Sequence, residues 1–113
     1  LAYLKSVAAD EDIELNMVYG MEASIASDTH CESWDKLSSA IASTWKGSIV
    51  SPYLMVACSD SRHYCRICDK VYRFSAMALS SEERRLIHGN DERIPVEKIG
   101  KTVEFYRRLL AQF

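Results

Sequence analysis

The chain has 113 residues, enough for about one small domain. Hydrophobic residues make up 48% and charged residues 27%, the ordinary mix of a globular protein. Lys and Arg number 14 against 16 Asp and Glu, so no basic excess exists to neutralise nucleic-acid phosphates, and no apolar run approaches the roughly 18 residues of a membrane span.

Leu1 to Ala9 places Leu1, Leu4 and Ala8 on one helical face. The sequence starts without Met, in what reads as a helix already under way, so a fragment of a longer protein is expected. For that reason the lack of a targeting signal assigns no compartment. "DIELNMVYG" then alternates Ile13, Leu15, Met17 and Tyr19 with Glu14, Asn16 and Val18, which predicts a half-exposed strand. "THCESWDKLSSAIASTWK" predicts a helix with a stripe of Trp34, Leu37, Ile41 and Trp45. Thr29 and Glu32 are spaced for a capping box, and Gly47 stops the helix.

"SIVSPYLMVAC" is an apolar run broken by Pro52, and predicts a strand covered on both faces. "SDSRHYCRICD" follows as a short helix with Ser59 or Asp60 as its N-cap. "KVYRFSAM" reads as another strand and "SSEERR" as a single capped turn. "PVEKIGKTVEFYRRLLAQF" is a long helix with Pro95 near its start and a stripe of Val96, Ile99, Val103, Tyr106, Leu110 and Phe113. Gly100 inside it costs about 1 kcal/mol relative to Ala. From Thr29 onward helix and strand alternate, an α/β pattern, while the first ~22 residues suit a separate small antiparallel sheet.

Three groups carry possible chemistry. Cys58, His63, Cys65 and Cys68 suggest a zinc knuckle or a redox pair. No second Cys-x-x-Cys completes a zinc site, however. Cys65 and Cys68 also fall inside the predicted helix rather than at its N-terminus, so ordinary thiols are the favoured reading. The second group is "SDSR", at the junction of a buried strand and a helix start, where α/β sheets bind ligands. Free amides there suit a carboxylate, and Arg62 adds a planar fork that can grip one bidentately; the alternative is a helix cap and a surface charge. The third is His88 in "RRLIHGNDERIPVEK". Spacing alone leaves it a loop residue, because any metal site would draw its other ligands from distant chain.

In combination, "PYLMVACSDSRHY", "VYRFSAM" and "IHGNDERI" resemble the C-terminal part of a zinc metallopeptidase family. That family includes aminoacylase, glutamate carboxypeptidases, bacterial dipeptidases and succinyl-diaminopimelate desuccinylase. The nearest resemblance is to its carboxypeptidase and N-acyl-amino-acid hydrolase branch. It covers nearly the whole chain and is strongest from Pro52 to Phe113.

The resemblance implies the C-terminal part of a catalytic α/β domain (residues 23–113), preceded by the last helix and strand of an inserted α+β lid used for dimerisation (residues 1–22). It implies His88 as the last metal ligand, Arg62 as the group engaging the substrate carboxylate, Ser59 and Asp60 lining the pocket, and Glu92 orienting the ligand turn. Ala57 and Cys58 stand where relatives usually carry glycines.

The implied cofactor is a pair of divalent metal ions, zinc in the family, that activate a water for attack on an amide. The implied substrate is a small peptide or N-acyl amino acid with a free carboxylate. The His-x-Asp ligands, bridging aspartate, Glu-Glu motif with the general base, and lid histidine have no counterpart in these residues. The fragment by itself is therefore expected to be inactive and metal-free or weakly metal-binding. It is also expected to associate with itself through open sheet edges as a homo-oligomer. Two other readings stand beside this one: a non-catalytic assembly module, and a small zinc domain built on Cys58, His63, Cys65 and Cys68.

Overall fold

The structure, a computed structural model, describes every residue except Glu11 and Cys58. The described residues form five helices: α1 (Ala2–Ala8), α2 (Glu32–Thr44), α3 (Ser61–Tyr64), α4 (Ser81–Arg84) and α5 (Val96–Leu110). Only α2 and α5 pack on one another. They run antiparallel: Gln112 at the far end of α5 donates to the Lys36 carbonyl near the start of α2 (3.1 Å), and Arg108 donates to Ser43 O (2.8 Å).

The α2 stripe read from the sequence is the face that packs. Leu37 and Ile41 are buried, and Trp34 and Trp45 lie against the core. Ala40, 1% exposed, lets the two helices approach closely. Thr44 is buried among them without an orphaned hydroxyl, because its Oγ1 donates back to Ala40 O at 2.8 Å. The helix begins differently from expectation. Cys31 is the N-cap and no side chain caps it, so the Thr29–Glu32 capping box does not form. Asp28 closes the preceding turn instead, its Oδ1 accepting from His30 N at 2.8 Å.

On α5 the face that meets α2 carries Phe105, 1% exposed, with Leu109 packed beside it. Thr102 on the same side donates to Ala76 O at 2.6 Å. The predicted stripe is continuous but exposed: Val96, Ile99, Val103, Tyr106, Leu110 and Phe113 all lie open to solvent, although the Tyr106 ring meets Phe105 at 5.0 Å and the Lys36 ammonium of α2 sits 4.3 Å over the Phe113 ring. The helix thus has two apolar rows, and only the row holding Phe105 is buried against α2.

The α/β fold class is met in its helices and not in its strands. Among the described residues there is no strand. Residues 48–57 carry no ladder, and Ile49, Tyr53, Leu54 and Val56 stand 93%, 76%, 77% and 99% exposed. Residues 13–19 are likewise unpaired and mostly exposed. Residues 71–77 are irregular: Phe74 N donates to Tyr72 O and Met77 N to Ser75 O, tight bonds that a straight strand does not make. The reason is physical. A strand satisfies its backbone only beside another strand, whereas a helix satisfies its own. Here no segment lies alongside to supply the ladder.

What anchors residues 71–77 is side-chain contact. Tyr72 meets Trp34 (5.5 Å between centroids), and Phe74 meets Trp45 (6.1 Å) and Phe105 (5.1 Å). Ser27 stands in for a missing strand neighbour, its hydroxyl accepting from Val71 N (2.9 Å) and donating to Val71 O (3.1 Å). The buried core is accordingly small: Leu37, Ala40, Ile41, Ala76 and Phe105. The radius of gyration is 18.9 Å, where a compact chain of this length has about 13 Å. The exposed surface is 9537 Å², where a compact protein of this mass shows about 6300 Å². Much apolar surface therefore lacks cover.

The turn at α4 is held as read. Ser80 caps it in a full capping box, its Oγ accepting from Glu83 N at 3.2 Å while the Glu83 carboxylate accepts from Ser80 N at 2.6 Å. The same carboxylate pairs with the Lys98 ammonium of α5. That ammonium, and then the Ser80 amide, hold the Glu83 carboxyl below the usual carboxylate range. A depressed carboxyl stabilises the folded form above about pH 4.3, its unfolded value, and the contribution disappears as pH falls through the lower folded value. Acidification below pH 4 should therefore release α4 from α5. The protection factors of the Glu83 and Ser80 amides should fall there in the wild-type chain, and Glu83→Gln should abolish that fall. Protection factors that stay flat down to pH 2 would show that the pair does not tether the turn.

Candidate functional site

The sequence-predicted residues lie on two separate segments. Ser59, Asp60 and Arg62 sit at the start of α3, and His88 and Glu92 in the loop between α4 and α5. α3 makes no helix–helix contact with α4.

Asp60 is the N-cap of α3, in helical conformation and without a side-chain cap bond. Ser59 and Asp60 are exposed, and the Ser59 and Ser61 hydroxyls share a 2.5 Å hydrogen bond. Arg62 is half-buried, and its Nε donates to His63 Nε2 at 3.4 Å. A serine-rich turn with a guanidinium on the first helical residues offers the polar groups a carboxylate needs. α3 is only one turn long, so its orientation depends on what packs around it.

His88 has a left-handed backbone, φ 60°, one of two described non-glycine residues with positive φ. The turn after α4 forces this: Ile87 N bonds Arg84 O (3.3 Å) and Gly89 N bonds Leu86 O (3.0 Å), closing the chain back on itself. A β-carbon on Gly89 would stand 3.2 Å from Leu86 O, so a side chain there would crowd the turn. Left-handed backbone costs a non-glycine residue about 1–2 kcal/mol, and such strain gathers where a side chain must be aimed. The imidazole is exposed, and no hydrogen bond or ion pair joins it to Glu92, which is also exposed.

Among the described residues no group of three His, Cys, Asp or Glu side chains could close around a metal ion. His88 supplies one donor, and the residues described do not by themselves fit a metal centre. Of the rival zinc set, Cys58 lies outside the described residues, and His63, Cys65 and Cys68 do not form such a group.

Four hydrogen bonds escaped the sequence reading. Cys31 Sγ and Tyr72 OH lie in a 3.1 Å hydrogen bond, and Tyr72 OH donates to Asp28 O at 2.6 Å. Burial, and then the bond with Cys31, push the Tyr72 hydroxyl above the usual phenol range, so it stays a donor. Arg73 donates to both Ser24 Oγ (2.7 Å) and Cys65 Sγ (3.9 Å). Ser24 and Cys31 are far in sequence from these partners, and no local pattern foretells the pairing.

No family model and no solved structure matches the chain. Curated proteins do. The chain is 31% identical over 111 residues to N-fatty-acyl-amino acid synthase/hydrolase PM20D1 of Xenopus tropicalis, covering 97% of this chain and 22% of that protein. It is 28% identical over 109 residues to probable carboxypeptidase S-like 2 of Dictyostelium discoideum, covering 96% of this chain and 21% of that protein. The Mus musculus PM20D1 protein is 28% identical over 108 residues, with 93% and 22% covered. The chain thus spans about a fifth of the length of the curated relatives it matches. The match runs across nearly all of it, and so the chain belongs to the peptidase M20 family, with the carboxypeptidase S-like and N-fatty-acyl-amino acid synthase/hydrolase proteins.

Proposed function

We propose that the whole protein is a hydrolase that cleaves the amide bond of peptides or N-acyl amino acids carrying a free carboxylate, and that this chain supplies part of its substrate grip and of its metal centre. The observation that carries this reading is the 31% identity over 97% of the chain to a protein named for N-fatty-acyl-amino acid hydrolysis and synthesis. In this reading Arg62 binds the substrate carboxylate, Ser59 and Asp60 line the same pocket, and His88 is one ligand of a zinc pair. The remaining ligands come from chain outside these residues, and Glu92 steadies the turn that aims His88. Residues 1–22 end a lid domain used for dimerisation, and residues 23–113 belong to an α/β catalytic domain. Residues 48–57 and 71–77 become strands once their neighbours are present. The uncovered apolar surface supports this, because each exposed run has the composition of a buried element. Without those neighbours the chain is inactive and associates with copies of itself.

Arg62→Ala in the whole protein tests the substrate assignment. Hydrogen bonds to a charged group contribute about 1.5–3 kcal/mol, so KM for an N-acyl amino acid should rise roughly 10- to 100-fold. The matching amide, which lacks the carboxylate, should change little. An equal effect on both substrates, or none on either, would remove Arg62 from carboxylate recognition.

A further inference from the structure

We infer that Cys65 and Cys68 form a thiol–disulfide exchange site, a dithiol that a low-molecular-weight disulfide oxidises to an intrachain bridge across the turn after α3. The inference stands apart from the hydrolase reading and needs nothing from outside this chain.

Helix α3 ends at Tyr64, so the two cysteines lie in the turn that leaves it, and not inside a longer helix. That turn keeps helical geometry. Cys65 N bonds Ser61 O (3.2 Å), Ile67 N bonds Tyr64 O (3.0 Å), and Cys68 N bonds Tyr64 O (2.9 Å). Residues three apart on such a turn have Cα atoms about 5 Å apart, inside the roughly 4.4–6.8 Å span of a disulfide. Both thiols are free, Cys68 exposed and Cys65 half-buried. They border one shallow surface depression together with Ile25 and Asp69, so a small reagent can reach both.

Each sulfur accepts from a donor: Arg73 to Cys65 Sγ at 3.9 Å, and the Lys70 amide to Cys68 Sγ at 3.4 Å. Arg73 is pinned there by its bond to Ser24 Oγ. Arg66 and Lys70 are exposed on either side of Cys68, with Lys70 paired to Asp69 at 3.4 Å, and the open surface admits a small disulfide such as oxidised glutathione. Cys31 offers no comparable chemistry. It has no thiol neighbour in its own turn, and its sulfur is occupied by Tyr72 OH and Asp28 O.

The step balances. The exposed Cys68 thiolate attacks one sulfur of R–S–S–R, forming the mixed disulfide and expelling RS⁻. The Cys65 thiolate then attacks the Cys68 sulfur and expels the second RS⁻. Two protein thiols lose two protons and two electrons, and the reagent disulfide is reduced to two thiols. The product stiffens the turn directly behind Arg62.

The test uses the full 113-residue chain with Cys31→Ser and Cys58→Ser, treated with oxidised glutathione. The expected product has lost the mass of two hydrogens, keeps no glutathione, and has no alkylatable thiol. Trypsin cuts after Arg66, between the two cysteines, and the pieces should stay joined until reduced. Adding Cys65→Ser should instead trap one stable glutathione adduct on Cys68. Because the native turn holds the thiols close, the second step should run about tenfold faster in buffer than in concentrated guanidinium chloride. Two stable adducts on the dithiol chain, bridges between separate copies, or equal rates in buffer and denaturant would each overturn the assignment.

Discussion

Phe105→Ala is expected to abolish cooperative folding of the α2–α5 pair. Phe105 is 1% exposed and the largest fully buried side chain described. Its ring meets Trp45 at 5.6 Å, Phe74 at 5.1 Å and Tyr106 at 5.0 Å, so it joins α2, α5 and residues 71–77 in one cluster. Truncating a buried Phe costs about 3–5 kcal/mol, from lost transfer free energy and the cavity left behind. Compact domains hold only about 5–15 kcal/mol in total, and this chain has a smaller core than its length allows. The loss should therefore remove the near-ultraviolet circular dichroism of Trp34 and Trp45 and the denaturation transition together. Val103→Ala, on the exposed row of the same helix, should shift stability by less than about 0.5 kcal/mol. If the two substitutions cost the same, the packed face of α5 would be misassigned.

His88 carries the second large effect, and it separates stability from activity. His88→Gly removes the imidazole and also relaxes a left-handed backbone, which glycine adopts without penalty. In the 113-residue chain this substitution should leave stability unchanged or raise it by about 1 kcal/mol, while His88→Ala keeps the strain. In the whole protein both substitutions should reduce bound metal and lower turnover by at least about 100-fold. Metal content by elemental analysis, beside turnover, is the deciding measurement. Retention of the full metal complement and of turnover by His88→Gly would remove it from the ligand set. Loss of activity with intact metal content would give it another role in the reaction.

The helices were legible because their information is local. The 3–4 spacing of Trp34, Leu37, Ile41 and Trp45 places four large side chains on one face of any α-helix, and that face packs. Ser80 and Glu83 specify their capping box within a single turn. The Thr29–Glu32 pattern has the same spacing but fails, because Asp28 has already closed the turn and the helix begins after Cys31. On α5, periodicity picked out the row from Val96 to Phe113, but a helix with two apolar rows does not state which one meets α2. Phe105 settles that through its bulk and its contacts with Trp45 and Phe74, which come from other parts of the chain.

The site divides in the same way. Sequence by itself determined the family, because the chain is similar along nearly its whole length to carboxypeptidase S-like and N-fatty-acyl-amino acid synthase/hydrolase proteins. Composition and order also marked residues 48–57 as an apolar segment in need of cover. Only the tertiary structure decided that this cover is not supplied by the described residues. It also decided that His88 sits in a left-handed turn and that Cys65 and Cys68 share the turn behind Arg62. The physical reason is the reach of the interactions involved. Helix hydrogen bonds and caps close within four residues, so a short stretch of sequence contains all of their partners. Strand ladders and metal ligand sets are completed by residues far along the chain, and an isolated stretch encodes only one side of each.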